Sequence, residues 1–315
     1  MHKRLVVVGS INLDLVSAAP RIPLPGETLI GASFASFPGG KGANQAFAAA
    51  RLGTQVSMIG KLGNDSFGAE LRANLESAGV NTAAVELEPT SSGIAQIITA
   101  ANGENVIVVI PGANAHVSPS YVEKNLDVIR SASIVLTQLE TPLETVEFLA
   151  SITRKEGIPL VLDPAPAQPL PTSLLDRVDW LTPNESETCS LLNLKSHDLP
   201  ENELSNIAEI LLQRGPRNVL LKLGQRGCFL ALADGRRISL PAHQVRAIDS
   251  TAAGDAFNGA FASALLEGHD PVHSASWASA VAAISVTRRG AQPSMPTRTE
   301  VQAFLKEREG TKQPV

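Results

Sequence analysis

The chain opens with a short β-branched run, Leu5-Val6-Val7-Val8, that stops at Gly9-Ser10. An apolar run of that length with no polar alternation predicts a strand buried on both faces. From residue 118 onward two periodicities take turns. Tyr121 to Ile129 reads as helix, Ile134 to Thr137 as strand, Thr145 to Lys155 as helix and Pro159 to Leu162 as strand. Val219-Leu220-Leu221 and Cys228 to Leu232 are further strands, with Gly224 and Gly227 suited to a tight antiparallel turn between them. Ala256, Phe257, Ala260, Phe261, Ala264 and Leu265 recur at helical spacing before a stop at Glu267-Gly268. Helices follow over Ala275 to Val286 and Thr299 to Glu307, and Gly310 to Val315 is expected to fray. Alternating strands and helices predict an α/β fold: a mostly parallel sheet with crossover helices.

Two stretches break that rhythm. Ala18 to Phe37 is rich in Pro and Gly, and Gly93 to Ile98 with Val106 to Ile110 forms a hairpin pattern around Asn102-Gly103. They are expected to build a small separate sheet acting as a lid, with segments of approximately 15–38 and 91–112, within one domain spanning 1–315.

Composition narrows the function classes. The chain has 315 residues, 43% of them hydrophobic and 18% charged, with a net charge of −5. That is a globular balance, with no basic run to hold nucleic acid and no apolar stretch long enough to span a membrane. Cys189 and Cys228 are the only cysteines, too few for a disulfide framework. Six scattered histidines show no zinc-binding spacing. A cytoplasmic protein is expected.

Within this frame the stretch Asp249-Ser250-Thr251-Ala252-Ala253-Gly254-Asp255 stands out. Small residues leave the amides of Ala252, Ala253 and Gly254 uncovered at a helix start, where free N–H groups and the helix dipole favour an anion. A carboxylate there, Asp255, suits a base that takes a proton from a hydroxyl during phosphoryl transfer. Read locally, ordinary capping or turn formation by Asp249, Ser250, Thr251 or Asp255 is the simpler account of the same residues.

Other polar residues fall at predicted strand ends or helix entries. Asn12 and Asp14 follow the first strand where it gives way to a loop, and Glu140 follows Ile134 to Thr137. Ligands in open α/β sheets gather at such carboxyl ends. Gly39-Gly40-Lys41-Gly42-Ala43-Asn44-Gln45 opens a helix and brings donors suited to sugar hydroxyls, but it lacks the Ser or Thr of a Walker loop. Thr182 and Glu185 have capping-box spacing with Pro183 between them, which leaves Asn184 and Glu187 free for other work.

Taken together, Gly39 to Ala46 with Gly53, Asp249 to Asp255 with Gly259-Ala260, Pro25 to Thr28, Pro164 to Ala167, Thr182 to Glu185 and Gly290 to Ser294 resemble the ribokinase (PfkB-type) family of carbohydrate kinases. The resemblance covers essentially the whole chain. It implies a ribokinase-like α/β fold with a β-lid that often forms a homodimer interface, and ATP-dependent phosphorylation of D-ribose at its 5-hydroxyl. It implies that Asp255 is the base and that the amides of Ala252, Ala253, Gly254 and Asp255 form the anion hole. Asn12, Asp14, Gly40, Lys41, Gly42, Ala43, Asn44 and Glu140 would contact the sugar. Asn184, the turn Lys222-Leu223-Gly224-Gln225-Arg226-Gly227, Gly254 and Ser279 would lie along ATP, with Glu187 near Mg²⁺. Asp249, Thr251, Ser285, Arg288, Gly290 and Ser294 match the family's potassium site. A relative acting on deoxyribose, another sugar or a nucleoside, or a sugar-binding regulator, stays open at this point.

Overall fold

The computed structural model describes residues 3–195 and 198–310; the expected fraying beyond Gly310 lies outside them. The chain begins with strand β1 (Arg4–Val8), strands β2 (Asn12–Ala19) and β3 (Ser33–Gly39), helix α1 (Lys41–Arg51), strand β4 (Gln55–Gly63), helix α2 (Ser66–Ser77) and strands β5 (Asn81–Glu88), β6 (Gly93–Ala100) and β7 (Asn105–Ile110). Helices α3 (Pro119–Lys124) and α4 (Leu126–Arg130) lead to strand β8 (Ile134–Thr137), helix α5 (Leu143–Glu156), strand β9 (Leu160–Leu162), helix α6 (Thr172–Leu175) and strand β10 (Trp180–Leu181). Then come helices α7 (Glu185–Leu191) and α8 (Leu204–Leu212), strands β11 (Asn218–Lys222), β12 (Cys228–Ala231) and β13 (Arg237–Leu240), and helices α9 (Ala253–Glu267), α10 (Pro271–Ser285) and α11 (Arg298–Gly310). The single helix expected over Tyr121 to Ile129 is broken at Asn125, which caps the second piece with a non-helical backbone.

Nine strands form the main sheet in the order β13-β12-β11-β10-β9-β8-β1-β4-β5. Every pair from β5 through β11 is parallel, and β11-β12-β13 is antiparallel. Successive side chains on a strand face opposite ways, and the burial follows that rule. Leu5 and Val7 join one hydrophobic cluster with α1, α9 and α10, while Val6 and Val8 join the other with α5 and α8. The sheet is therefore the middle of three layers. Cys189 and Cys228 are free thiols within the two cores.

The second sheet has the order β3-β2-β6-β7. β2 pairs antiparallel with β3, parallel with β6, and β6 with β7 forms the hairpin around Asn102-Gly103. Among the described residues no helix is long and apolar enough to cross a membrane.

Candidate active site

The parallel strands deliver their carboxyl ends to one edge of the sheet, and most of the sequence-predicted residues assemble there. Asn12 and Asp14 do not sit in a loop as expected. They begin β2, paired with Gly39 and Phe37 of β3, because the chain turns from the main sheet straight into the second sheet. Both are buried. Glu140 lies just beyond β8, and its Oε2 accepts from Ser10 Oγ at 2.5 Å, the Lys41 amide at 3.2 Å and Asn12 Nδ2 at 3.4 Å. Asn114, which the sequence reading passed over, closes this corner by donating to Asn12 Oδ1 at 2.7 Å.

Helix α1 reaches the site only because its entry is glycine. Gly40 has φ of 85°, a left-handed geometry that favours glycine. A Cβ at Gly42 would stand 2.7 Å from the Ser10 amide nitrogen and 2.8 Å from the Gly9 carbonyl carbon, so α1 packs backbone to backbone against the turn after β1. A Cβ at Gly39 would land on the Asp14 carboxylate. The price is a crowd of carboxylates. Burial, with Glu140 and Asp255 nearby, pushes Asp14 from an ordinary 3.8 to about 7 despite the opposing pull of Lys41. Burial also disfavours the Lys41 charge, but Asp255, Asp163, Glu140 and Glu187 outweigh it and hold the ammonium protonated.

Asp255 lies in the first turn of α9 and is buried. It is not a cap. The N-cap is Ala252, with φ of 58° and ψ of 15°, and no side chain caps the helix. Asp255 instead accepts from Asn44 Nδ2 at 2.9 Å and Gln45 Nε2 at 3.0 Å, both on α1. Burial raises its pKa while Lys41 and these two amides pull it down, and Asp163 adds to the rise. The Ala253 N–H closes a turn on the Ser250 carbonyl at 3.2 Å. The first-turn amides of Gly254 and Asp255 come next, without a capping side chain. Asp249, also offered as a cap, holds its own loop: it accepts from the Thr251 amide at 2.9 Å and the Gly290 amide at 2.8 Å. Of the remaining residues matched to the cation loop, Ser285 and Ser294 bond to carbonyls three residues back, and the Arg288 guanidinium turns to Glu300.

A cavity of about 320 Å³ adjoins the start of α9. Lys222, Gly224, Gln225, Gly227, Gly254 and Ser279 line it. Leu223 is buried beneath the turn, and Arg226 pairs with Glu185 and Glu201. The capping box expected at Thr182 and Glu185 forms two residues later. Asn184 caps α7, accepting from the Glu187 amide at 2.8 Å, while Glu187 Oε2 accepts from the Asn184 amide at 2.7 Å. The shift has a simple cause. Asn184 still bridges to Lys222 in β fashion, so the extended backbone of β10 continues past Thr182, whose hydroxyl bonds back to Leu162. Asn184 and Glu187 thus carry the structural job that the sequence reading had given to others.

Asp163, just after β9, was also missed. Its Oδ1 accepts from Lys222 Nζ at 2.8 Å and its Oδ2 from Gln45 Nε2 at 2.8 Å. Its place at a strand's carboxyl end, directly before Pro164 to Ala167, is the signal in the sequence that marks it.

Comparison with known proteins accords with this geometry. A ribokinase of Haemophilus influenzae is 42% identical over 306 residues, covering 97% of this chain and 99% of its own. A deoxyribokinase of Salmonella typhimurium is 36% identical over 303 residues, covering 96% and 98%. The structure of Arabidopsis thaliana ribokinase complexed with ribose and ATP is similar with a TM-score of 0.89 and 33% identity, covering 97% of this chain and 99% of that one. The family model described as pfkB family carbohydrate kinase matches residues 2–298, and the chain belongs to that family.

Proposed function

We propose that this protein transfers the γ-phosphoryl group of ATP to the 5-hydroxyl of D-ribose, with Asp255 as general base. The observation that carries the reading is the position of Asp255. It is a buried carboxylate joined to α1 on the sugar side and standing at the uncapped start of α9, beside the cavity. Asn12, Asp14, Lys41, Asn44 and Glu140 would hold the sugar hydroxyls, with Gly40, Gly42 and Ala43 giving it room; a ligand rich in hydroxyls is what offsets the burial of so many polar groups. Gly224, Gln225, Gly227, Gly254 and Ser279 would border ATP. The α9 amides would hold the charge of the moving phosphoryl group.

Mg²⁺ fits this arrangement as an ion held chiefly by nucleotide phosphates and water. Among the described residues no group of three metal-ligating side chains is present, and Glu187, buried with its pKa raised by desolvation, is the acidic residue assigned nearest to it. When bound, the ion neutralises phosphate charge. A monovalent cation such as K⁺ fits the Asp249 loop, where a carboxylate ties Thr251 to Gly290 and supplies the oxygen chemistry that such ions take. Arg288 would contribute there through its backbone only.

We further infer a cytoplasmic homodimer paired through the second sheet, which acts as a lid. The whole of β7 is exposed, with Val106 at 44%, Ile107 at 52%, Val108 at 54%, Val109 at 45% and Ile110 at 38%, and Phe34 on β3 is 66% exposed. An open apolar sheet of this kind favours a protein partner.

A coupled assay of ADP release over D-ribose, 2-deoxy-D-ribose, hexoses and nucleosides, with and without K⁺, tests the reading. Fastest turnover with D-ribose is expected. A higher kcat/KM for 2-deoxy-D-ribose would move the assignment to a relative, and sugar binding without ATP consumption would make the protein a regulator.

A further inference from the structure

Gln45 follows Asn44 on α1 and is completely buried, yet the sugar site does not use it. Its amide is fully engaged. Nε2 donates to Asp255 Oδ1 at 3.0 Å and to Asp163 Oδ2 at 2.8 Å, and Oε1 accepts from Gln138 Nε2 at 2.6 Å. The Gln138 bond fixes the orientation, since a flipped Gln45 would set two amide nitrogens together and turn an oxygen toward two carboxylates. Behind it, Lys222 compensates the charge of Asp163 at 2.8 Å.

A carboxylate's terminal torsion is broad and two-fold, so a donor on one oxygen leaves the plane free to turn. Asn44 supplies a donor to Oδ2 and is itself held by Gln292 at 3.0 Å. The second donor, on Oδ1, is what fixes the plane. We propose that Gln45 is a positioning residue that orients the Asp255 carboxylate toward the acceptor hydroxyl, itself held in place by Gln138 and the Asp163–Lys222 pair. The proposal rests on the reading of Asp255 as the base.

Gln45→Met keeps the length and bulk of the side chain and removes both donors. The expected result is a kcat lower by about 100-fold, the order of effect of a misplaced reacting group. KM for sugar and for ATP should stay within about three-fold of wild type. The acid limb of the kcat profile should also move to higher pH, because the carboxylate loses a donor that favours its charged form. Lys41, Lys222, Asp163 and Asp14 face Asp255 and remain unchanged in this variant. Gln138→Met frees the Gln45 amide without touching Asp255 and should lower kcat in the same direction by a smaller factor. A folded Gln45→Met protein with wild-type kcat and pH profile overturns the proposal. Should Gln45→Met fail to fold, an unchanged kcat in Gln138→Met overturns it instead. Asp255→Asn measured alongside separates the two readings: turnover there defeats the base, whereas loss there with wild-type Gln45→Met defeats only the positioning.

Discussion

The two halves of the cleft are built from different materials. The half proposed for the sugar is made of side chains: Asn12, Asp14, Lys41, Asn44 and Glu140 crowd together, mostly buried. The half proposed for the nucleotide is built largely from backbone and small residues, at the start of α9 and the Gly224–Gly227 turn, with Lys222 and Gln225 among the side chains that line it. The contrast extends to the two helix starts on the nucleotide side. Helix α7 satisfies its first turn with the reciprocal pair Asn184 and Glu187, whereas α9 enters through a left-handed Ala252 and has no capping side chain. A capped turn has spent its donors on the protein. Apart from the Ala253 N–H, tied back to the Ser250 carbonyl, the α9 entry leaves its first-turn donors without a capping side chain, at the cost of backbone strain.

The comparison can be broken at several points. Asp14→Asn should have the largest effect, with opposite signs on binding and stability. The native protein holds the Asp14 proton up to about pH 7, against 3.8 ordinarily, so rising pH removes stability between those values. The variant should lose most sugar affinity by calorimetry. It should also gain about 2–4 kcal/mol of unfolding free energy at pH 8, a gain that fades toward pH 4. Gly42→Ala should cost about 1–3 kcal/mol in urea unfolding, because the new Cβ meets backbone of Gly9 and Ser10 that α1 cannot avoid without moving. Asn184→Ala should cost about 1 kcal/mol by removing the α7 cap. Ala252→Gly should leave turnover intact and stabilise slightly, by up to about 1 kcal/mol, since glycine takes the left-handed geometry freely. A destabilised Ala252→Gly would contradict the strain assigned to the α9 entry.

The same contrast explains what could be read from the sequence. Strand ends and helix entries were legible wherever a periodicity stopped at glycine, as at Gly9, Gly40 and Gly268, and so were the side chains grouped there. The capping box was misplaced by two residues because pairing of Asn184 with Lys222, a contact remote in sequence, prolongs the extended backbone. Asn12 and Asp14 read as loop residues because nothing local distinguishes a loop from the first residues of a second sheet. Asp163 and the reach of Gln45 depend on β9, β11 and α1 converging, which periodicity does not encode. The cap at Asp255 is of the same kind: cap and base use the same residue, and the cap is excluded only by the N-cap falling at Ala252 and by the bonds of Asp255 to Asn44 and Gln45.

Asp255→Asn tests the central claim most directly, in single-turnover phosphorylation of D-ribose alongside calorimetric sugar binding. Asn preserves the shape of the side chain and removes the basic oxygen. The account predicts a rate lower by about 10²–10⁴-fold, the usual share of a general base, with sugar binding retained. Turnover within a few-fold of wild type would contradict it.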